Sequence, residues 1–332
     1  MMQTVGRPRS RGPMRPRGRD EVGRMERDMV KREGCLLEAL VSAALSGGDT
    51  RSGTPLAYRR ALITGATSGI GRAFAEVLPP TTDLLLVGRN PAALAEVERK
   101  LARPGRTIET VEADLADEAS VATVVARGDA FGIDLLINNA GVGRLGAVVS
   151  NPPASERNAV AVNVMAVVLL TRGLVPGMIA RARGDRRRAG LIILASTAAF
   201  GPVPYFTTYA ASKAFDLSFA EGVAEELRGQ PIDVLALCPG ATRSQFGARA
   251  GFSGGNLPGA LDPHTVARQG LAALGRHRVK VTGIDQAYLN PALLPRCVAT
   301  RVLGGVMRAV VDRMAAGSPP AAPPSRSRSV RG

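Results

Sequence analysis

Residues 61–71 read ALITGATSGIG. Ala61-Leu62-Ile63-Thr64 is a short apolar strand, and Ile70, Phe74, Val77 and Leu78 then share one face of a helix. Between them lies Gly65-Ala66-Thr67-Ser68-Gly69-Ile70-Gly71, with the spacing G-x-x-x-G-x-G. Glycines in such a turn let the backbone come close to a diphosphate, and the N–H groups and dipole of the helix favour the anion. The chain holds 38 glycines, so the spacing alone also fits a plain tight turn. Its placement after a strand and before a helix is what points to a dinucleotide.

The pattern continues outward. Pro79-Pro80 ends the helix, and Asp83-Leu84-Leu85-Leu86-Val87 forms a second strand stopped by Gly88-Arg89-Asn90. Pro91 suits the first turn of the next helix. A third strand runs from Thr107 to Ala113 and ends at Asp114. A helix from Asp117 to Ala126 leads to a fourth strand, Asp134–Ile137, which ends in Asn138-Asn139-Ala140-Gly141. Ala154 to Val175 reads as one long apolar helix containing Asn163. Leu191–Ala195 is a fifth strand, Thr208–Arg228 a helix, and Ile232–Cys238 a sixth strand closed by Pro239-Gly240. Residues 241–262 are rich in Gly and Ser and read as a mobile loop or lid. Asp262-Pro263 starts a helix to Leu274, and Val279–Val281 fits a seventh strand. Strands apolar on both sides, alternating with helices, predict an α/β fold with a parallel sheet covered on both faces. One domain over 56–285 is the economical reading, followed by a helical segment over 286–314.

The chemistry-bearing stretch is STAAFGPVPYFTTYAASK, residues 196–213. Tyr209 and Lys213 are four positions apart and share a helix face. A phenol near its reference pKa of about 10 is a poor acid or base at neutral pH. A lysine cation beside it favours the phenolate, which fits Tyr209 for general acid/base work on an alcohol or carbonyl. Ser196 follows the fifth strand and is expected at its carboxyl end, facing a substrate oxygen. Taken singly, the Tyr–Lys spacing also fits a surface pair, and Ser196 or Asn163 also fits a local cap or a buried amide. Arg89, at the end of the second strand, suits the 2′-phosphate of NADP(H), where an acidic residue would select NAD(H). Asp83 is at the wrong end of that strand for the acidic role.

The net charge is +15, part of it in the tails. Residues 1–55 carry eleven Lys/Arg against seven Asp/Glu, and 315–332 carry three Arg and no acid. Both read as disordered from their Pro, Gly and Arg content. A basic arm of that kind fits a solvated tail or an anionic surface. Cys35 to Leu45 fits a short amphipathic helix. The amphipathic stretch from Leu293 to Met314 fits core packing, a subunit contact or a membrane surface. Three scattered cysteines and two histidines make a zinc site or a Ser-His-Asp triad improbable. No secretory signal or transmembrane run is expected, which favours a cytoplasmic protein without nucleic-acid partners.

TGATSGIG at 64–71, Asp114, NNAG at 138–141, Asn163, Ser196, YAASK at 209–213 and PGAT at 239–242 together resemble the short-chain dehydrogenase/reductase family. The motifs follow the family's order over about residues 58–285. The resemblance implies a Rossmann-type sheet of seven parallel strands with the site at their carboxyl ends. It implies that Gly65, Thr67, Ser68, Gly69, Ile70 and Gly71 hold the pyrophosphate side and that Asp114 and Leu115 contact the adenine. Asn139, Ala140 and Gly141 line the cofactor cleft, and Pro239, Gly240 and Thr242 cover the nicotinamide end. Tyr209 becomes the proton donor or acceptor, Lys213 its partner and the holder of the nicotinamide ribose. Ser196 polarises the carbonyl, and Asn163 holds a water linking Lys213 to solvent. A homodimer or homotetramer is implied too, with the helix around Asn163 to Leu174 at an interface.

The expected function is ketone–alcohol interconversion with NADP(H) preferred over NAD(H). Phe246, Phe252, Leu257 and Leu261 suggest an apolar or acyl-type substrate. The competing readings are a cofactor-sensing scaffold without turnover and a reductase working at a membrane surface.

Overall fold

A computed structural model describes residues 58–252, 260–283 and 296–317. The basic tails, the Cys35–Leu45 segment, Leu257 and Pro291–Pro295 lie outside the described residues. The sheet has seven strands in the order β3-β2-β1-β4-β5-β6-β7. These are β1 (Arg60–Thr64), β2 (Asp83–Gly88), β3 (Ile108–Glu112), β4 (Leu135–Asn138), β5 (Ala189–Leu194), β6 (Ile232–Pro239) and β7 (Val279–Thr282). All pairings are parallel. The order reverses between β1 and β4, so a crevice opens outside their carboxyl ends, where ligands of such sheets bind.

The inner strands are largely apolar because both faces are covered, whereas the edge strands β3 (IETVE) and β7 (VKVT) carry polar residues and are only partly buried. Leu62, Leu85 and Leu136 face one core layer, Ile63, Leu84 and Ile137 the other, and all are fully buried. Alternate residues of each strand thus feed opposite layers, as strand periodicity requires.

Helices α1 (Gly69–Val77), α2 (Pro91–Leu101) and α3 (Glu118–Phe131) link the first four strands. Asn90 caps α2 by accepting from the Ala93 N–H, with Pro91 in the first turn, and Asp117 caps α3 by accepting from the Ser120 N–H. Helix α3 runs on past the expected end at Ala126. Its Gly128 lies against core side chains: a Cβ there would sit 2.8 Å from one Leu174 methyl and 2.9 Å from a Leu62 methyl. Gly128→Val should therefore lower stability by about 2 kcal/mol through overpacking. Chemical denaturation of the two proteins measures it, and an unchanged midpoint would mean that the α3 contact yields freely.

The stretch read as one apolar helix from Ala154 to Val175 is three pieces. Helix α4 (Pro153–Val160) passes through a π turn (Ala161–Met165) into α5 (Ala166–Gly184). By length and composition Pro153–Gly184 could cross a membrane, but half of its most apolar window is buried inside the fold. Leu170, Leu174 and Met178 fill the core layer against β1, β4 and β5, which explains the apolar run. Beyond β5 come a 3-10 turn (Thr197–Phe200) and α6 (Thr207–Glu226). After β6 the expected loop contains a short helix, α7 (Phe246–Ala250). Helix α8 (Pro263–Ala273) is capped by Asp262, and α9 (Arg296–Gly317) follows β7.

Candidate active site

The glycine turn leaves β1 with Gly65 and Gly69 at φ +66° and +56°, backbone that glycine adopts without strain. A Cβ on Gly71 would collide with the Gly65 carbonyl and the Asn139 amide. The turn is thus a cradle of bare backbone at the N-terminus of α1, where N–H groups lack helical partners. The Asn139 side chain closes its far wall by donating to Thr64 O at 2.7 Å. Thr64 Oγ1 in turn accepts from the N–H groups of Asn139 and Ala140, each at 2.9 Å. These bonds fix the ends of β1 and β4 side by side, which is why NNAG must follow a strand. The cradle fits a diphosphate in shape and in charge.

Arg89 is exposed at the carboxyl end of β2 and makes no polar contact among the described residues. Thr67 lies close by, its methyl 3.0 Å from where a Cβ on Gly88 would stand. Asp114 is exposed and accepts from the Ala116 N–H. The Leu115 side chain is buried in the core, which leaves only its backbone to face an adenine.

At the other side of the crevice, Tyr209 and Lys213 stand on the first turns of α6. The Lys213 ammonium lies 6.0 Å from the Tyr209 ring centroid. It donates to Leu194 O at 2.7 Å and to Asp216 Oδ2 at 2.8 Å. A Cβ on Gly141 would be 3.4 Å from its nitrogen, so Lys213 reaches the end of NNAG. Burial alone would push this ammonium towards neutrality; Asp216, then Tyr209, outweigh that and hold its pKa above the usual lysine value.

Ser196 caps the 3-10 turn, accepting from the Ala198 N–H at 3.1 Å, and its hydroxyl lies 3.5 Å from Pro239 O. Pro239 is buried at the end of β6; Gly240 bonds Thr282 O and Thr242 bridges to Leu261. The Asn163 side chain bonds both the N–H and the C=O of Val142 and donates to Ser212 Oγ. Both of its N–H donors are therefore committed to protein. They are not available to the expected water, and the side chain ties the π turn, the NNAG loop and α6 together. A π turn at such a junction is a recurring feature of functional sites.

Around the phenol stands an apolar wall. Phe206 stacks on Tyr209 with centroids 4.4 Å apart, and Phe246 approaches at 5.2 Å. Tyr205, at φ 62°, holds a left-handed backbone that is strained for a tyrosine just before Phe206. Leu145, Ala250, Phe252 and, from α9, Met307, Val310 and Val311 complete the cluster. Leu261, expected on the substrate side, packs instead in the core layer with Phe74 and Leu237. The sequence reading missed Phe206, α9's Met307 and Asp216; the first two carried only generic apolar character, and an aspartate within a helix reads as solvated.

The family model described as short chain dehydrogenase matches residues 59–251. The chain belongs to this family. It is a dehydrogenase/reductase acting on CH–OH groups with NAD(P), and the Rossmann-type sheet is the family's. A curated relative, dehydrogenase/reductase SDR family member 7B of Bos taurus, is 33% identical over 265 residues, covering 72% of this chain and 80% of the relative. A solved short-chain dehydrogenase from Sphingobium yanoikuyae, in complex with NADPH, superposes with a TM-score of 0.62 at 27% identity, over 81% of this chain and 100% of that one. The 3-ketoacyl-(acyl-carrier-protein) reductase from Brucella melitensis, complexed with NADH, gives a TM-score of 0.58 at 27% identity, over 68% and 96%.

Proposed function

We propose that this dehydrogenase interconverts a ketone and a secondary alcohol on an apolar or acyl-type substrate, with NADP(H) preferred over NAD(H). The observation that carries this reading is the position of Tyr209: beside a buried ammonium, at the sheet's carboxyl end, with an aromatic wall around its ring. The nicotinamide, when bound, supplies or accepts the hydride. The protein manages one proton and the geometry. In reduction the Tyr209 hydroxyl donates its proton to the carbonyl oxygen as that oxygen becomes an alcohol; in oxidation it takes the proton back. Lys213 stands beside the phenol, its ammonium 6.0 Å from the ring centroid, and has one N–H donor left for a ribose hydroxyl. Ser196 turns its hydroxyl from Pro239 O to the substrate oxygen.

Gly65, Thr67, Ser68, Gly69, Ile70 and Gly71 would hold the diphosphate in the cradle, with Asn139, Ala140 and Gly141 along the cleft. Asp114 and the Leu115 backbone would border the adenine, and Pro239, Gly240 and Thr242 the nicotinamide. The NADP(H) preference rests on Arg89, exposed beside the turn with its charge uncommitted among the described residues. The solved neighbours above carry NADPH in one case and NADH in the other, so the preference is a property to be tested on this chain. Arg89→Asp should move selectivity towards NADH by about tenfold or more, the worth of one charge-assisted bond. Competition binding of the two cofactors reads it, and an unaltered ratio would reject the 2′-phosphate role.

The apolar wall supports substrates with a hydrocarbon body rather than sugars. A series of ketones of rising chain length tests this, with kcat/KM expected to climb with length. Exposed Val160, Met165 and Phe215 support self-association through α4, the π turn and α6.

A further inference from the structure

Lys213 has a second neighbour that the Tyr–Lys reading does not use. Asp216 sits one helical turn on, is 0% exposed, and binds the Lys213 ammonium at 2.8 Å. Its other oxygen, Oδ1, is buried with no hydrogen-bond partner among the described residues. A buried carboxylate satisfied on one side only is costly. The groups facing Lys213 come from each packed element. Helix α6 supplies Tyr209 and Asp216, β5 the Leu194 carbonyl, the NNAG loop Gly141, and β6 Cys238. The Cys238 thiol is pushed up to about 12 by burial and stays neutral, and Glu221 acts on that thiol from further along α6. Burial raises the Asp216 pKa above the usual carboxylate value while the Lys213 ammonium draws it back, and Asp216 is the one carboxylate bonded to that ammonium among these groups.

The geometry points to Asp216 as a positioning residue of the reaction: it anchors Lys213 and offsets its charge, so that tyrosine, lysine and aspartate titrate as one unit. This rests on the catalytic reading of Tyr209 and Lys213 given above. Coupled groups release protons as a set. With Asp216 ionised, the protonated tyrosine–lysine pair is neutralised by its carboxylate and keeps its first proton to higher pH. Without that charge, the pair loses its first proton at lower pH, whichever of the two groups gives it up. Carbonyl reduction needs both protons in place. Its alkaline limb must therefore move down when the carboxylate is removed.

The test is the pH profile of kcat/KM for reduction of the best ketone from the chain-length series, by the full chain with NADPH. Asp216→Asn should shift the alkaline limb about one pH unit lower, the scale of a neighbouring charge at this range. Asp216→Glu, which restores the carboxylate, should return the limb towards wild type. Should the Asn variant not fold, Asp216→Val carries the same expectation. A limb that stays in place in a folded charge-free variant, while wild type turns over, overturns the inference and leaves the catalytic reading standing. Absence of reduction by wild type overturns both.

Discussion

Tyr209→Phe loses turnover by about a thousandfold, the scale of a positioned general acid or base, while NADPH affinity stays within about twofold of wild type. The phenylalanine ring keeps the stack with Phe206, whose centroid lies 4.4 Å away, and the approach to Phe246 at 5.2 Å. Only the hydroxyl is lost, and the glycine cradle stands on the far side of the crevice. A fall in kcat with unchanged cofactor binding therefore isolates proton transfer from positioning. Stopped-flow reduction of a ketone together with fluorescence titration of NADPH measures both. Wild-type rates in the variant would mean that another group moves the proton.

Gly71→Ala is the second large effect, and it acts on the opposite wall. The new methyl would meet the Gly65 carbonyl and the Asn139 amide, neither of which is the free end of a flexible chain. Asn139 is held to Thr64 O at 2.7 Å, so the displacement spreads to the ends of β1 and β4. We expect a stability loss of about 1–3 kcal/mol from the forced backbone shift. NADPH affinity should fall at least about tenfold, because the cradle's N–H groups no longer converge. Thermal unfolding and calorimetric titration read the two effects separately. An alanine variant that binds NADPH as tightly as wild type would remove the diphosphate from this turn.

These two walls were largely legible in the sequence because each depends on local pattern. The G-x-x-x-G-x-G turn sits between a short apolar strand and a period-3.6 helix, and Y-x-x-x-K needs only the helical repeat to bring two side chains to one face. The inner strands followed from apolar runs, and the edge strands β3 and β7 from their place in the strand–helix alternation. What escaped was tertiary. The π turn at Ala161–Met165 carries the same apolar pattern as an α-helix, so nothing in the residues marks the extra width. Leu261 and Phe252 look alike on a hydropathy reading, yet one enters the core layer of Leu237 and the other the Tyr209 wall. Helix α3 runs past its expected end at Ala126, and Gly128 in that extra turn is the residue that lets the helix approach Leu174. Asp216 is the sharpest case: its meaning depends on Lys213 being buried, at 4% exposure, which spacing alone cannot report.

We propose throughout that a phenol beside a buried ammonium exchanges a proton with a carbonyl oxygen in the crevice served by the glycine cradle. The most direct measurement is mass analysis of the alcohol formed from an aliphatic ketone with NADPH deuterated at the nicotinamide C4, using the wild-type chain and Tyr209→Phe. Deuterium is expected on the carbinol carbon with wild type, and product at background with the variant. Labelled alcohol formed equally by both proteins, or by neither, would contradict it.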